Sequence, residues 1–187
     1  MSFWSTSTSE PRRNFKFILR VTDIPVWVVK NVNLPKISVK EGTHKFLNHT
    51  FYFPGTVEYN TVSFTIIDSI SDDISARLLE RFVGGGYQTP TDGNAAESTL
   101  ITKGDSVESL GSIKIEHLGN GRDGHEGNSH ISFSLQNAWI QDVEFSQALG
   151  YDSEDPSEIK VQLRYDFFSF DRGDAGEAPI GGFGTAR

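Results

Sequence analysis

The sequence predicts an all-β, mainly antiparallel domain, a small barrel or sandwich, with one short α-helix packed against it. Three observations predict it. Apolar and polar residues alternate with period two in several separate runs, as in half-buried strands. The chain holds 14 phenylalanines against a single methionine, and aromatic residues favour strands. Only one stretch, about 72–83, carries apolar residues at helical spacing.

Taken in order, residues 1–13 form a Ser/Thr-rich N-terminal arm with Phe3 and Trp4 near its tip. Two large aromatics on such an arm point to a docking partner. Residues 15–21 alternate Phe15, Phe17, Leu19 and Val21 against Lys16 and Arg20, a first strand. Asp23-Ile24-Pro25 breaks it, and 26–32 forms a second strand that ends before Pro35, since proline donates no ladder hydrogen bond. Residues 36–55 read as an extended connector with turns at Gly42 and Pro54-Gly55. The run 57–67 reads as one long strand. Ser71, Asp72 and Asp73 offer helix N-caps and acidic first-turn residues. Ile74, Leu78 and Phe82 then fall at i, i+4 and i+8, packing on the sheet and leaving Arg77 and Glu80 outward. Arg81 sits late in the helix, and Gly84 can end it.

Two stretches, about 84–112 and 119–130, read as loops, with a strand at 113–118 between them. Strands return at 131–136 and 158–166. In the latter, Ile159, Val161, Leu163 and Tyr165 share one face and Lys160, Gln162 and Arg164 the other. Trp27 and Trp139 sit in strand-like runs and read as partly buried. Residues 172–187 form a flexible Gly-rich tail. A single β domain is therefore expected over 14–171.

Composition excludes several functions. There is no cysteine, hence no disulfide, thiolate metal site or cysteine nucleophile. The formal net charge is −8 and the pI about 5.1, which argues against a basic nucleic-acid clamp. No run approaches the roughly 18 apolar residues of a membrane span. The polar N-terminus has no signal-peptide core, so a soluble protein made and used without secretion is expected. His125, Glu126 and His130 match no metal-ligand spacing. Gly84-Gly85-Gly86 lacks the Lys-Ser/Thr of a phosphate loop, and no serine has a nucleophile-elbow context. Neither catalysis nor a cofactor is implied.

One segment carries a resemblance. A strand with Trp139 leads to an acidic break, Tyr151 to Pro156, and then to a strand ending in Tyr165-Asp166. Upstream come the strand at Phe15–Val21, a second ending at Leu34-Pro35, an extended loop to Phe53-Pro54-Gly55, a strand closing on Ile67-Asp68, and a helix. This order resembles the tail tube proteins of contractile-tailed bacteriophages, whose architecture type VI secretion tubes share. The resemblance implies a subunit that completes a larger barrel on hexamerisation, in rings that stack into a tube through which DNA passes without specific binding. Sheath, baseplate and tail terminator proteins are the implied partners, and a virion tail assembled in the host cytoplasm the implied location. A terminal or baseplate-proximal ring is the alternative position.

On this reading Phe3, Trp4, Phe46, Phe51, Tyr52 and Phe53 are candidate subunit or ring contacts, because exposed apolar sets mark interaction surfaces. Glu58, Asn60, Thr61, Ser63 and Thr65 are candidate lumen residues. Lys160 and Arg164 are expected to pair with acids such as Glu158 or Glu58, or to face away from the channel, since unpaired cations bind phosphates. The competing class is a soluble β-sandwich carbohydrate-binding module using Tyr87, Trp139 or Tyr151 as platforms.

Overall fold

The computed structural model describes residues 12–87, 100–119, 130–145, 150–152 and 154–172. Its strands are β1 (Phe17–Val21), β2 (Val29–Val32), β3 (Ile37–Phe46), β4 (His49–Tyr59), β5 (Val62–Ile67), β6 (Ile113–His117), β7 (Ile131–Gln136), β8 (Trp139–Phe145), β9 (Glu158–Arg164) and β10 (Phe167–Arg172). Two helices are described, α1 (Ile74–Gly84) and α2 (Lys103–Leu110). The strands form two four-stranded antiparallel sheets, sheet A in the order β1-β6-β7-β10 and sheet B in the order β2-β5-β9-β8. The third unit is a two-stranded hairpin, β3-β4.

Period-two patterning drives the packing. Leu19, Val21, Ile113, Ile115 and Leu135 of sheet A share one buried cluster with Val62, Phe64, Ile66, Ile159, Val161, Leu163 and Tyr165 from sheet B and its β9 end. Each such side chain, taken fully out of water, contributes about 1.5–3 kcal/mol. Ile74 and Leu78 of α1 and Leu110 of α2 complete the cluster, and the helices pack on each other, with α2 also against β8. Arg77 does not simply face outward. Arg77 donates to the Asp23 carbonyl at 2.7 Å, and Arg81 reaches both the Ser109 carbonyl and the Asp23 carboxylate. Glu80 is exposed.

The chain crosses between sheets twice at one corner. β7 passes to β8 through Asn137-Ala138, and β9 passes to β10 through Tyr165-Asp166. Asp166 staples the corner: its N–H donates to the Gln136 carbonyl, and its carboxylate accepts from Asn137 Nδ2 at 2.8 Å and from Lys103 Nζ of α2 at 2.6 Å. The hydrogen bond from Lys103, then that from Asn137, holds the Asp166 carboxyl below the usual carboxylate range. The Tyr165-Asp166 pair is thus a corner before a further strand, not the end of the last one.

Other expectations are corrected. Residues 26–32 are not one strand: after Pro25, Val26–Val28 form a single 3-10 turn that buries Val28 and turns Trp27 out, 67% exposed. The connector at 36–55 is the hairpin β3-β4. Gly42 and Pro54-Gly55 are not its turn; they lie within the strands, and the chain reverses at Leu47-Asn48. The single strand at 57–67 is two, broken at Asn60-Thr61, where the chain leaves the hairpin and enters sheet B. Asp73 occupies the α1 N-cap position with no side-chain hydrogen bond. Its backbone is left-handed at φ 46°, whereas capping needs an extended residue there. The stretch at 84–112 contains α2, capped by Thr102, whose hydroxyl accepts from the Asp105 N–H at 3.1 Å. Residues 88–99, most of the loop at 119–130, and the tail from 173 lie outside the described residues.

Candidate assembly interface

β3 and β4, of 10 and 11 residues, pair over almost their whole length, from Ile37 opposite Tyr59 to Phe46 opposite His49. Valine, threonine and aromatic residues in both strands favour this ladder. Near the base the register shifts between Val39 and Glu41. Gly55 sits opposite that shift, where a Cβ would lie 2.8 Å from the Lys40 carbonyl oxygen, so the close backbone approach requires glycine. Tyr59 ties the base to the body through edge-to-face contacts with Tyr165 and Phe168.

Beyond the base the hairpin is exposed on both faces. An isolated two-stranded hairpin is at best marginally stable in water, so this arm lacks the cover that its length calls for. Pairing puts Phe53 opposite Gly42, Phe51 opposite His44, and Phe46 opposite His49, and these residues share one face, with His49 edge-on to Phe51 at 4.6 Å between ring centroids. Tyr52 lies opposite Thr43 on the other face. Leu47 forms the turn with φ 51°, a left-handed conformation that disfavours leucine, and is 87% exposed. Among the described residues, none covers that side chain. Leu47 went unnoticed in the sequence because a leucine-asparagine pair is not a standard turn signal.

The candidate lumen residues do not form one surface. Glu58 lies in the hairpin and pairs with Lys40. Asn60 accepts from Ser38 Oγ at 3.1 Å, and Thr61 accepts from Gln162 Nε2 at 3.0 Å. Ser63 and Thr65 lie on the outer face of sheet B, opposite Gln162 and Lys160. Glu158 and Glu58 are not the partners of Lys160 and Arg164: Lys30 takes Glu158, and Lys40 takes Glu58. That hydrogen bond to Glu158 raises the Lys30 ammonium above its usual range. The carboxylate facing Lys160 across the β8-β9 ladder is Glu144, with Asp142 opposite Gln162. The outer face of sheet B therefore intersperses Lys30, Lys160 and Arg164 with Asp142, Glu144 and Glu158, close to electroneutral.

Ile74 and Leu78 are buried and Phe82 is half-buried. Phe82 lines a cleft of about 160 Å³ with Trp139, Ile140 and Ile101 between the helices and β8. A second cleft, about 400 Å³, lies between Asp23, Arg77, Arg81 and Ser109. Trp139 starts β8 and Tyr151 lies past its other end, so the two do not share a platform. Among the described residues no group of three His, Asp or Glu side chains could hold a metal ion, and no helix is long and apolar enough to cross a membrane. Phe3 and Trp4 lie outside the described residues.

No family model matches the chain, and no curated protein does. Solved structures share its fold. A chain of the anti-feeding prophage baseplate, solved with six-fold symmetry, superposes with TM-score 0.53 at 11% identity, covering 87% of this chain and 96% of that one. A chain of the sheath-tube complex of PVC, an extracellular contractile injection system, in its extended state gives 0.52 at 16% identity, covering 89% and 99%. A chain of the anti-feeding prophage cap, which terminates the tube, gives 0.53 at 11% identity, covering 89% and 95%. The fold is thus one found in components of contractile injection particles, mainly antiparallel β with two packed helices.

Proposed function

We propose that the chain is a structural subunit of a contractile-tail inner tube: six copies form a ring, rings stack, and the channel conducts DNA at ejection. The observation that carries this reading is the long hairpin, apolar and uncovered, on a fold whose solved relatives by shape stand in sheath-tube, baseplate and cap assemblies. A monomer would leave the arm in water, and subunit contact covers it. Among the described residues β1 and β10 are the edges of sheet A and β2 and β8 those of sheet B, likewise a liability in a monomer, which a closed ring removes.

The role is mechanical, without catalysis or cofactor. The outer face of sheet B suits a wet channel because its cations stand beside carboxylates, which weakens phosphate binding. Sheath, baseplate and terminator proteins are the heterologous partners, and the particle is a virion tail assembled in the host cytoplasm. Electron microscopy of the purified protein tests the reading. Rings or tubes of constant diameter are expected; a monomer at high concentration with affinity for glycans would support the carbohydrate-binding module instead.

A further inference from the structure

Helix α2 is held to the body by polar groups at both ends, with little apolar surface between them. Of its eight residues Leu110 alone is buried; Ser106, Val107 and Ser109 are half-buried, and the other four are exposed. At its N-terminal end Lys103 meets the Asp166 carboxylate. At its C-terminal end the Ser109 hydroxyl donates to the Arg81 carbonyl at 2.8 Å, and the Arg81 guanidinium donates to the Ser109 carbonyl. Between the two helices the backbones come close. A Cβ at Gly84 would stand 2.5 Å from Ser109 Oγ, and one at Gly85 3.1 Å from Ser106 Oγ. The glycines that cradle no phosphate thus let α2 lie directly on α1. Two clefts border this seat, one lined by Phe82, Ile101, Trp139 and Ile140, the other by Asp23 and Arg77, and Leu110 and Arg81 line both. Side chains beside a gap forfeit the dispersion contacts that close packing gives, and a helix this short has little stability of its own in water. Elements with few buried contacts are those that open locally while the rest of a fold stays intact.

What α2 covers is a strand edge. β8 borders sheet B, pairing with β9 on one side, and among the described residues no strand pairs with the other. Trp139, Ile140 and Gln141, at the start of β8, line the smaller cleft together with Ser106 and Leu110 of α2. Ile140 packs against the core, Trp139 lies opposite Arg164 on the polar face, and the register shift between Ile140 and Asp142 leaves Gln141 out of the ladder. Residues of both faces meet the helix, so α2 abuts the edge and not one face of the sheet.

We infer that α2 is a releasable cover on the β8 edge: docked, it keeps the edge of a free subunit from pairing, and undocked, it opens the edge to a strand of a second copy. This role rests on the assembly reading and adds its regulation. Covering an edge with a helix is one way a monomer avoids indiscriminate strand pairing. A cover held by one charge pair and a few serine hydrogen bonds yields when an incoming strand competes for the edge.

The chain has no cysteine, and a Cβ at Gly84 would stand 3.2 Å from that of Ser109, within a small adjustment of the separation a disulfide spans. The doubly substituted protein, Gly84→Cys with Ser109→Cys, is oxidised with glutathione disulfide to lock α2 and reduced with dithiothreitol to free it. Electron microscopy is expected to show rings or tubes from the reduced form and none from the locked form until it is reduced. Equal assembly of both forms would overturn the cover. Lys103→Met removes the charge pair and leaves Asp166 its hydrogen bond from Asn137. It is expected to lower the concentration needed for assembly about two- to fivefold, the opposite of what loss of an interface side chain does. A raised concentration would show that α2 works docked and overturn its release. Hydrogen exchange on the wild-type monomer needs no assembly: the α2 amides are expected to exchange at least about a hundredfold faster than those of β5 and β9. Equal protection of all three elements would overturn the inference by itself, whereas fast α2 exchange in a protein that stays monomeric at every concentration would overturn the assembly reading alone.

Discussion

Leu47→Gly separates the demands of folding from those of assembly, because it should move the two in different directions. Leu47 has φ 51° and is 87% exposed, so its side chain contributes no burial within the subunit. Holding an L-residue left-handed costs about 1–2 kcal/mol, which glycine relieves. Against that, glycine loses about 0.5–1 kcal/mol more backbone freedom on folding. Subunit stability should therefore stay level or rise by up to about 1.5 kcal/mol. Burying a leucine at a contact contributes about 1.5–3 kcal/mol, so its loss should weaken each tip contact about tenfold to a hundredfold. Denaturant unfolding measures the first quantity and sedimentation velocity across a concentration series the second. A stability loss beyond about 1 kcal/mol would mean that the turn is not the strained one described, and unchanged assembly would remove Leu47 from the interface.

Leu78→Ala removes a side chain that is 1% exposed between α1 and the sheets, and should cost about 2–5 kcal/mol in denaturant unfolding; a loss within about 0.5 kcal/mol would show that α1 packs on another face. Asp166→Asn keeps the shape of the corner but removes the charge that Lys103 meets. A carboxyl held below its ordinary value stabilises the fold above that value and loses the effect as pH falls through the lowered one. Wild type should thus be the more stable at neutral pH, with the difference closing below about pH 4; a difference that persists in acid would show that the Lys103–Asp166 charge pair is not its source. Deleting residues 2–10 should leave a folded subunit with impaired stacking, and normal tubes from that deletion would exclude Phe3 and Trp4 as contacts.

The parts of the fold legible in the sequence are those where one physical rule acts alone. The alternation at Val62, Phe64 and Ile66 and at Ile159, Val161, Leu163 and Tyr165 reports a half-buried sheet, and the apolar residues of both runs are buried. The stripe Ile74-Leu78 likewise marks a helix. The hairpin was illegible as structure because its strands bury neither face, so no alternation distinguishes them from an apolar loop. Gly42 and Pro54-Gly55 added false turns: Gly55 serves the close backbone approach to Lys40 beside the bulge, whereas a Cβ at Gly42 would meet only an ordinary contact at 3.9 Å from the Phe53 carbonyl. The helix α2 was missed although Thr102 and Asp105 stand at capping distance in sequence, because its polar residues leave a weak apolar stripe ending at Leu110. The aromatic set Phe46, Phe51, Tyr52 and Phe53 stood out in the sequence as a dense apolar set on a connector, and all four side chains are exposed.

A cryo-electron microscopy map of the assembled protein tests the central claim most directly, since it reads ring formation, stacking and the place of the arm together. The account predicts six-fold rings in a continuous stack, with Phe46, Leu47 and Phe51 of each copy buried against the next. A map in which subunits assemble while the β3-β4 arm stands free in solvent, or a protein that stays monomeric at the highest concentrations reached, would contradict it.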